Sequence, residues 1–211
     1  MEIQSFHSLA STQQYLTDAI GEGRLQAPVA VIAKEQYAGI GSRENSWQGE
    51  KGNFFASVAV SLNDLPKDLP LSSASIYFSF LMKKVLLQFT EKIWLKWPND
   101  FYIDDDKVGG TITKATGNVL VFGIGINLKK SAGEYRGIGI EISPEALLKQ
   151  YLEVLEKFPD WKQVFSEYRV EFELSRRFSV HIEKRKVSLK SAQLCEDGSL
   201  MIDGKRIYSL R

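Results

Sequence analysis

An α+β fold with a mixed β-sheet flanked by helices, followed by a small all-β module, is what this 211-residue sequence predicts. Three observations lead there. Short apolar runs such as residues 29–33 and 119–128 alternate with amphipathic helical patterns as far as residue 173. After Leu174 the texture changes to short alternating segments, separated by Lys184-Arg185, Asp197-Gly198 and Asp203-Gly204. With 44% hydrophobic residues, the chain can bury one main core and carry a small appendage. The expected division is 1–174 for the main domain and 175–211 for the β module.

The elements follow in order. Ser8 or Ser11 caps a helix running to about Ile20, with Tyr15, Leu16, Ala19 and Ile20 on one face and Gly21 and Gly23 ending it. Residues 29–33 read as a buried strand. Residues 36–53 form a long irregular stretch with Gly39, Gly41, Gly49 and Gly52, and 53–62 is a strand again. Ser72 opens a helix reaching about Glu91. Residues 93–97, 107–114 and 119–128 read as strands, the last two joined by a turn at Thr116-Gly117-Asn118. Ser143 caps a helix to Phe158 with Pro144 at its first position, and another runs from Asp160 to about Glu173. Residues 178–182, 186–192, 199–202 and 206–210 are short strands. Such a small β module is marginal alone, so it is expected as a little barrel docked on the main domain.

The bulk composition excludes more than it assigns. A formal net charge of +1 gives no global pull toward nucleic acid or an anionic membrane. The lone Cys195 cannot form an internal disulfide, which fits a reducing compartment. No apolar run reaches the roughly 20 residues of a membrane-spanning helix. Met1-Glu2-Ile3-Gln4 does not begin a signal peptide. The expectation is a cytoplasmic protein with neither membrane nor nucleic-acid partners.

Two motifs carry chemistry. In the 36–53 stretch, Gly39 and Gly41 free the backbone for close approach to a ligand, and Arg43 is the only cation between Lys34 and Lys51. That pattern reads as a phosphate-binding loop, or as a surface loop with an incidental arginine. In Lys96-Trp97-Pro98-Asn99-Asp100, Pro98 ends ladder pairing, so Asn99 and Asp100 project where a strand ends. Asn99-Asp100 reads as Mg²⁺-binding oxygens or as a simple turn. Lys107 and Gly109-Gly110 follow closely.

In combination these residues resemble the biotin protein ligases, bacterial enzymes that attach biotin to a carrier lysine. The resemblance runs from Ser11 to Arg211. It takes in Ser11-Thr12-Gln13, then Glu35-Gln36-Tyr37-Ala38-Gly39-Ile40-Gly41-Ser42-Arg43 with Trp47, and the Lys96–Asp100 block. It continues through Lys107-Val108-Gly109-Gly110, Gly123-Ile124-Gly125-Ile126-Asn127-Leu128 and the closing Ser209-Leu210-Arg211. The resemblance implies a catalytic domain of the class II synthetase and biotin–lipoate ligase type with an SH3-like C-terminal barrel. It also implies a two-step reaction with Mg²⁺. Biotin carboxylate attacks the α-phosphate of ATP to give biotinyl-adenylate and pyrophosphate. A lysine of the biotin carboxyl carrier protein then takes the biotinyl group and AMP leaves. Bringing a carboxylate to a polyphosphate needs positioned cations rather than a protein nucleophile. The solitary Cys195 and the distant His7 and His181 agree with that.

Site roles come from the same resemblance. Lys107 bridges biotin carboxylate and phosphate and is the main catalytic residue, with Arg43. Ser11, Thr12, Gln13, Gln36, Gly39, Ile40, Gly41, Ser42, Gly109 and Gly110 join Lys107 around biotin. Gln13 stands where many relatives have asparagine. Asn99, Asn127, Arg43 and Arg211 lie on the ATP side, Asp100 toward the metal, and Trp47 covers the adenine.

Two departures stand out. Many relatives carry Gly-Arg-Gly-Arg-Arg-Gly-Arg where this chain has Gly39-Ile40-Gly41-Ser42-Arg43-Glu44-Asn45. Weaker retention of the adenylate is the expected consequence. Only about ten residues precede Ser11, too few for the helix-turn-helix domain some members use as repressors, so the expectation is the enzyme alone. Rival readings are a lipoate or octanoate ligase or transferase of the same fold, whose usual Gly-Gly-Gly run is missing here, and a non-catalytic biotin-binding module. The basic start of the β module (Arg176, Arg177, Lys184, Arg185, Lys186, Lys190) reads as a solvated face or as a docking face for an acidic carrier.

Overall fold

In a computed structural model, which describes residues 1–41, 46–47, 50–129, 136–182 and 185–208, a seven-stranded sheet forms the centre. Its strands are β1 (Glu2–Leu9), β2 (Val29–Gln36), β5 (Phe54–Ser61), β6 (Ile93–Lys96), β7 (Asp100–Ile103), β8 (Asp106–Thr116) and β9 (Val119–Ile126). Their order is β1-β2-β5-β9-β8-β7-β6. Only β1 and β2 are parallel, so the sheet is mixed. A short hairpin of β3 (Gly39–Ile40) and β4 (Ser46–Trp47) stands apart.

Alternation along the strands sorts side chains to two faces. Ala30 and Ile32, Phe54, Ala56, Val58 and Val60, and Leu120, Phe122, Ile124 and Ile126 join the large core. Helices α2 (Ala74–Leu86), α3 (Pro144–Leu155) and α4 (Trp161–Ser175) pack into that core. On the other face α1 (Thr12–Gly21) covers only a small cluster of Leu16, Val29, Val31, Ala59 and Val121. The remainder of that face is left for the site.

The local signals act as expected at two caps. Ser11 Oγ accepts from Gln14 N–H at the start of α1, and Ser143 Oγ accepts from Ala146 N–H at the start of α3. Three features differ from the sequence reading. β1 is a strand where the sequence reading placed no element; its parallel pairing to β2 takes in Ser8, which leaves Ser11 as the cap of α1. The turn expected after Lys96 continues directly into β7, making a β6-β7-β8 meander. α2 stops at Leu86, and Leu87 and Phe89 beyond it are exposed, with no core surface to hold another turn.

After α4 come β10 (Ser179–Ile182), β11 (Arg185–Ser188), β12 (Gln193–Leu194), β13 (Leu200–Ile202) and β14 (Lys205–Ile207). Among the described residues they form a two-stranded hairpin and a three-stranded sheet. Asp203 and Gly204 both have positive φ, as a two-residue turn between β13 and β14 requires. Val180, Leu189, Ala192, Leu200 and Ile202 belong to the same buried cluster as the helices.

Candidate active site

The uncovered part of the sheet holds a cavity of about 260 Å³. Strand β9 is its floor. Glycine at alternate positions there lets Gln13, Ser57 and Trp47 press down onto the strand. A Cβ on Gly123 would lie 2.7 Å from Gln13 Oε1 and 3.0 Å from Ser57 Oγ, and one on Gly125 would lie 2.7 Å from Trp47 Nε1. The N-terminus of α1 closes one end, the β3–β4 hairpin overhangs, and the β6-β7-β8 meander closes the other end.

The α1 end is neutral, and its hydrogen-bond directions are fixed. Gln36 Oε1 accepts from Thr12 N–H at 2.7 Å, which settles the orientation of its amide. It also accepts from Thr12 Oγ1 at 3.0 Å, and the Thr12 hydroxyl in turn accepts from Ser57 Oγ at 2.9 Å. Gln13 Nε2 donates to Val121 O, leaving Gln13 Oε1 buried with no partner. Open polar functions at this end include two acceptors, Gln13 Oε1 and Ser57 Oγ, and two donors, Gln36 Nε2 and the Ser11 hydroxyl.

The other end is charged. Lys107 Nζ lies 2.6 Å from Asp100 Oδ1, and Lys96 Nζ lies 3.8 Å from Asp100 Oδ2. The Lys107 side chain is 40% exposed, while those of Lys96 and Asp100 are 12%. Lys107 Nζ also sits 5.9 Å from the Trp47 ring centroid. Asn99 donates through Nδ2 to Thr111 O, and its Oδ1 is buried without a partner. Asn127 Oδ1 accepts from Asn53 Nδ2, and Asn53 Oδ1 accepts from the backbone N–H of Leu128.

Behind the charged end, Glu171 of α4 accepts from Leu95 N–H and pairs with Lys83 at 2.5 Å. Burial pushes its carboxyl above the usual glutamate value, while Lys83 and the Leu95 N–H pull it back.

Of the residues expected from sequence, Ser11, Thr12, Gln13, Gln36, Ile40, Gly41, Trp47, Asn99, Asp100, Lys107, Gly110 and Asn127 line this one cavity. Gly39 and Gly109 do not. A Cβ on Gly39 would strike Trp47 O, and one on Gly109 would lie 2.6 Å from Gly125 O and 3.1 Å from Phe101, so both serve close backbone packing. Ser42, Arg43 and Arg211 lie outside the described residues. Sequence reasoning missed Ser57, Thr111, Gly123 and Gly125 on the walls and Asn53 behind Asn127. Ser57 had a signal: it is the one polar residue within the apolar run from Phe54 to Val60.

The residues present fit Mg²⁺ only in part. Among the described residues, no three His, Cys, Asp or Glu side chains gather. One carboxylate, Asp100, and one unpartnered carboxamide oxygen, on Asn99, suit a cation held mainly by phosphate oxygens.

Residues 5–131 match the model of the biotin/lipoate A/B protein ligase family, and the chain belongs to that family. It is 39% identical to the biotin acetyl coenzyme A carboxylase synthetase of Helicobacter pylori, whose crystal structure has biotinylated ATP bound. That match has a TM-score of 0.93 over 98% of this chain and 99% of the other. It is 36% identical over 125 residues to the bifunctional ligase/repressor BirA of Escherichia coli, a match that covers 56% of this chain and 38% of BirA. The biotin protein ligase of Aquifex aeolicus, at 21% identity and a TM-score of 0.75, shares the fold. Among the described residues, no helix is long and apolar enough to cross a membrane.

Proposed function

We propose that this chain activates biotin with ATP as biotinyl-5′-AMP and transfers the biotinyl group to a lysine of a biotin carboxyl carrier protein. The observation that carries this reading is the balance of open polar groups at the α1 end. The two acceptors match the two N–H groups of a ureido ring, and the Gln36 and Ser11 donors match the two lone pairs of its carbonyl. The two acceptors converge over Gly123, whose missing side chain lets both approach the strand, and both line the cavity. A dithiolane or a plain acyl chain has no N–H to offer. It would leave Gln13 Oε1 and Ser57 Oγ unpaired, at a cost of about 1–3 kcal/mol each. This favours biotin over lipoate within the family.

The mechanism follows from the charged end. Biotin carboxylate attacks the α-phosphorus, a new C–O–P anhydride forms, and the bond to the β-phosphate oxygen breaks to release pyrophosphate. Lys107 leaves Asp100 to bridge carboxylate and phosphate, so the two anions approach a cation that is already positioned. Lys96 remains to pair Asp100. In the second step the acceptor amine attacks the acyl carbon, the C–O bond to AMP breaks, AMP leaves, and the amine proton passes to solvent. Asp100 and Asn99 would hold Mg²⁺ brought with the nucleotide, and the ion would weaken the repulsion between the two acids. Arg43 and Arg211 are proposed to add phosphate contacts, and Trp47 to cover the adenine.

ATP-dependent pyrophosphate release tests the reading. It is expected with biotin and absent with lipoate or octanoate. Release with lipoate would assign the chain to the other branch of the family, and biotin binding without release would make it a binding module.

A further inference from the structure

We propose that the C-terminal β module sets the phosphate end of the site. Its turn at residues 196–198 fixes Trp97, and Trp97 is a positioning residue for Asn99 and Asp100. This rests on the reading of the cavity as an adenylating site.

Trp97 lies inside the Lys96–Asp100 block but does not line the cavity, and it is only 1% exposed. It faces the C-terminal module instead. Three consecutive carbonyls of that module's turn each accept a side-chain donor from the main domain. Glu196 O takes the Trp161 indole N–H at 2.9 Å, Asp197 O takes the Ser73 hydroxyl at 2.5 Å, and Gly198 O takes the Trp97 indole N–H at 2.9 Å. Gly198 has φ +77°, and a side chain there would run into Ser73 Oγ. The turn is therefore specified in shape as well as in contact.

The backbone of the same block is held from α4. Leu95 N–H donates to Glu171 Oε1 at 2.7 Å and Trp97 N–H donates to Ser175 Oγ at 3.0 Å. Donors two residues apart on an edge strand are about 7 Å apart, and acceptors four residues apart on a helix about 6 Å, so the two rows match. Pro98 has no N–H to bond. Asn99, with its unpartnered Oδ1, and Asp100, paired to Lys107, follow directly. Only one residue separates Trp97 from Asn99, so a shift of the indole is transmitted to both oxygen-bearing side chains.

Trp161 supplies the control. Its indole makes a bond of the same length to the carbonyl two residues before Gly198, but from the first turn of α4, away from the cavity. The experiment compares Trp97→Phe, Trp161→Phe and Gly198→Ala in the full chain. It reads melting temperature, kcat and KM for ATP and biotin in pyrophosphate release, and amide exchange at residues 96–100. Both Phe variants are expected to lower the melting temperature alike. Trp97→Phe alone is expected to lower kcat or raise the ATP KM about tenfold while leaving the biotin KM within about twofold, since sub-ångström misplacement of catalytic groups has effects of this order. Gly198→Ala, which keeps the indole but moves its acceptor, is expected to reproduce that split.

A Trp97→Phe enzyme with wild-type kcat and ATP KM overturns the proposal, as does a Trp161→Phe enzyme with the same losses. Should Trp97→Phe fail to fold, the kinetics of Gly198→Ala decide alone. A wild-type protein that releases no pyrophosphate with biotin would sink the proposed function. Faster exchange at residues 99–100 in Trp97→Phe but not in Trp161→Phe would then still support the positioning role, and equal exchange would overturn it.

Discussion

The end of the cavity beside α1 is neutral and buried, whereas the end beside Lys107 is charged and partly open to solvent. At the first, Thr12, Gln36 and Ser57 form a chain whose hydrogen-bond directions are fixed before any ligand arrives. At the second, Asp100 holds two ammonium groups, of which Lys107 can pass to an incoming phosphate while Lys96 stays behind. The contrast separates two tasks. Rejecting a wrong ligand works through buried polar groups that would otherwise go unpaired, so it needs dry, fixed donors and acceptors. Joining two acids needs cations that can change partner, so it needs ion pairs at a mouth that nucleotide can reach.

Mutations at one end should therefore leave the other intact. The largest effect is expected for Lys107→Ala, which should lower adenylation about 10²- to 10³-fold with little change in melting temperature. Unchanged turnover would remove Lys107 from the mechanism. Next, Gly123→Ala should weaken biotin binding about a hundredfold or more, because its methyl would stand within 3.0 Å of both Gln13 Oε1 and Ser57 Oγ. Titration calorimetry showing wild-type biotin affinity would mean that Gln13 and Ser57 do not hold the ring.

The altered loop offers a comparison with relatives that keep all four arginines. Each missing charged hydrogen bond should speed adenylate dissociation about ten- to a hundredfold, which stopped-flow release measures. Release as slow as in an arginine-rich relative would end the idea. Thr12→Val removes the central hydroxyl of the neutral chain and should raise biotin KM about tenfold at constant ATP KM. A rise in both constants would show that the two ends are coupled. The smallest effect is expected for Asp100→Ala, which should raise the Mg²⁺ requirement about fivefold, because phosphate oxygens and Asn99 Oδ1 would still hold the ion. A biotin defect alone would place Asp100 at the wrong end.

Much of this site was legible because its residues cluster in short motifs. Lys96–Asp100 and Lys107–Gly110 lie on neighbouring strands of one meander, so sequence proximity already implied spatial proximity. Asn53 was not legible as a site residue, and Ser57 only as the one polar residue of an apolar run. Ser57 reaches Thr12 across 45 positions and Asn53 reaches Asn127 across 74, and no local pattern encodes either meeting. The Gly123 and Gly125 floor shows the same division. Alternate glycines mark one face of a strand, but only the sheet order says that Gln13, Ser57 and Trp47 stand above them.

By itself the sequence determined most of the elements, the cap at Ser143 and the chemical kind of the site, because those depend on residues within a turn or two of one another. The tertiary structure alone decided that β1 is a strand, that Trp97 faces the C-terminal turn rather than the ligand, and which polar atoms remain open. Each of these depends on which distant group satisfies a given donor or acceptor, and that choice is made only when the sheet assembles.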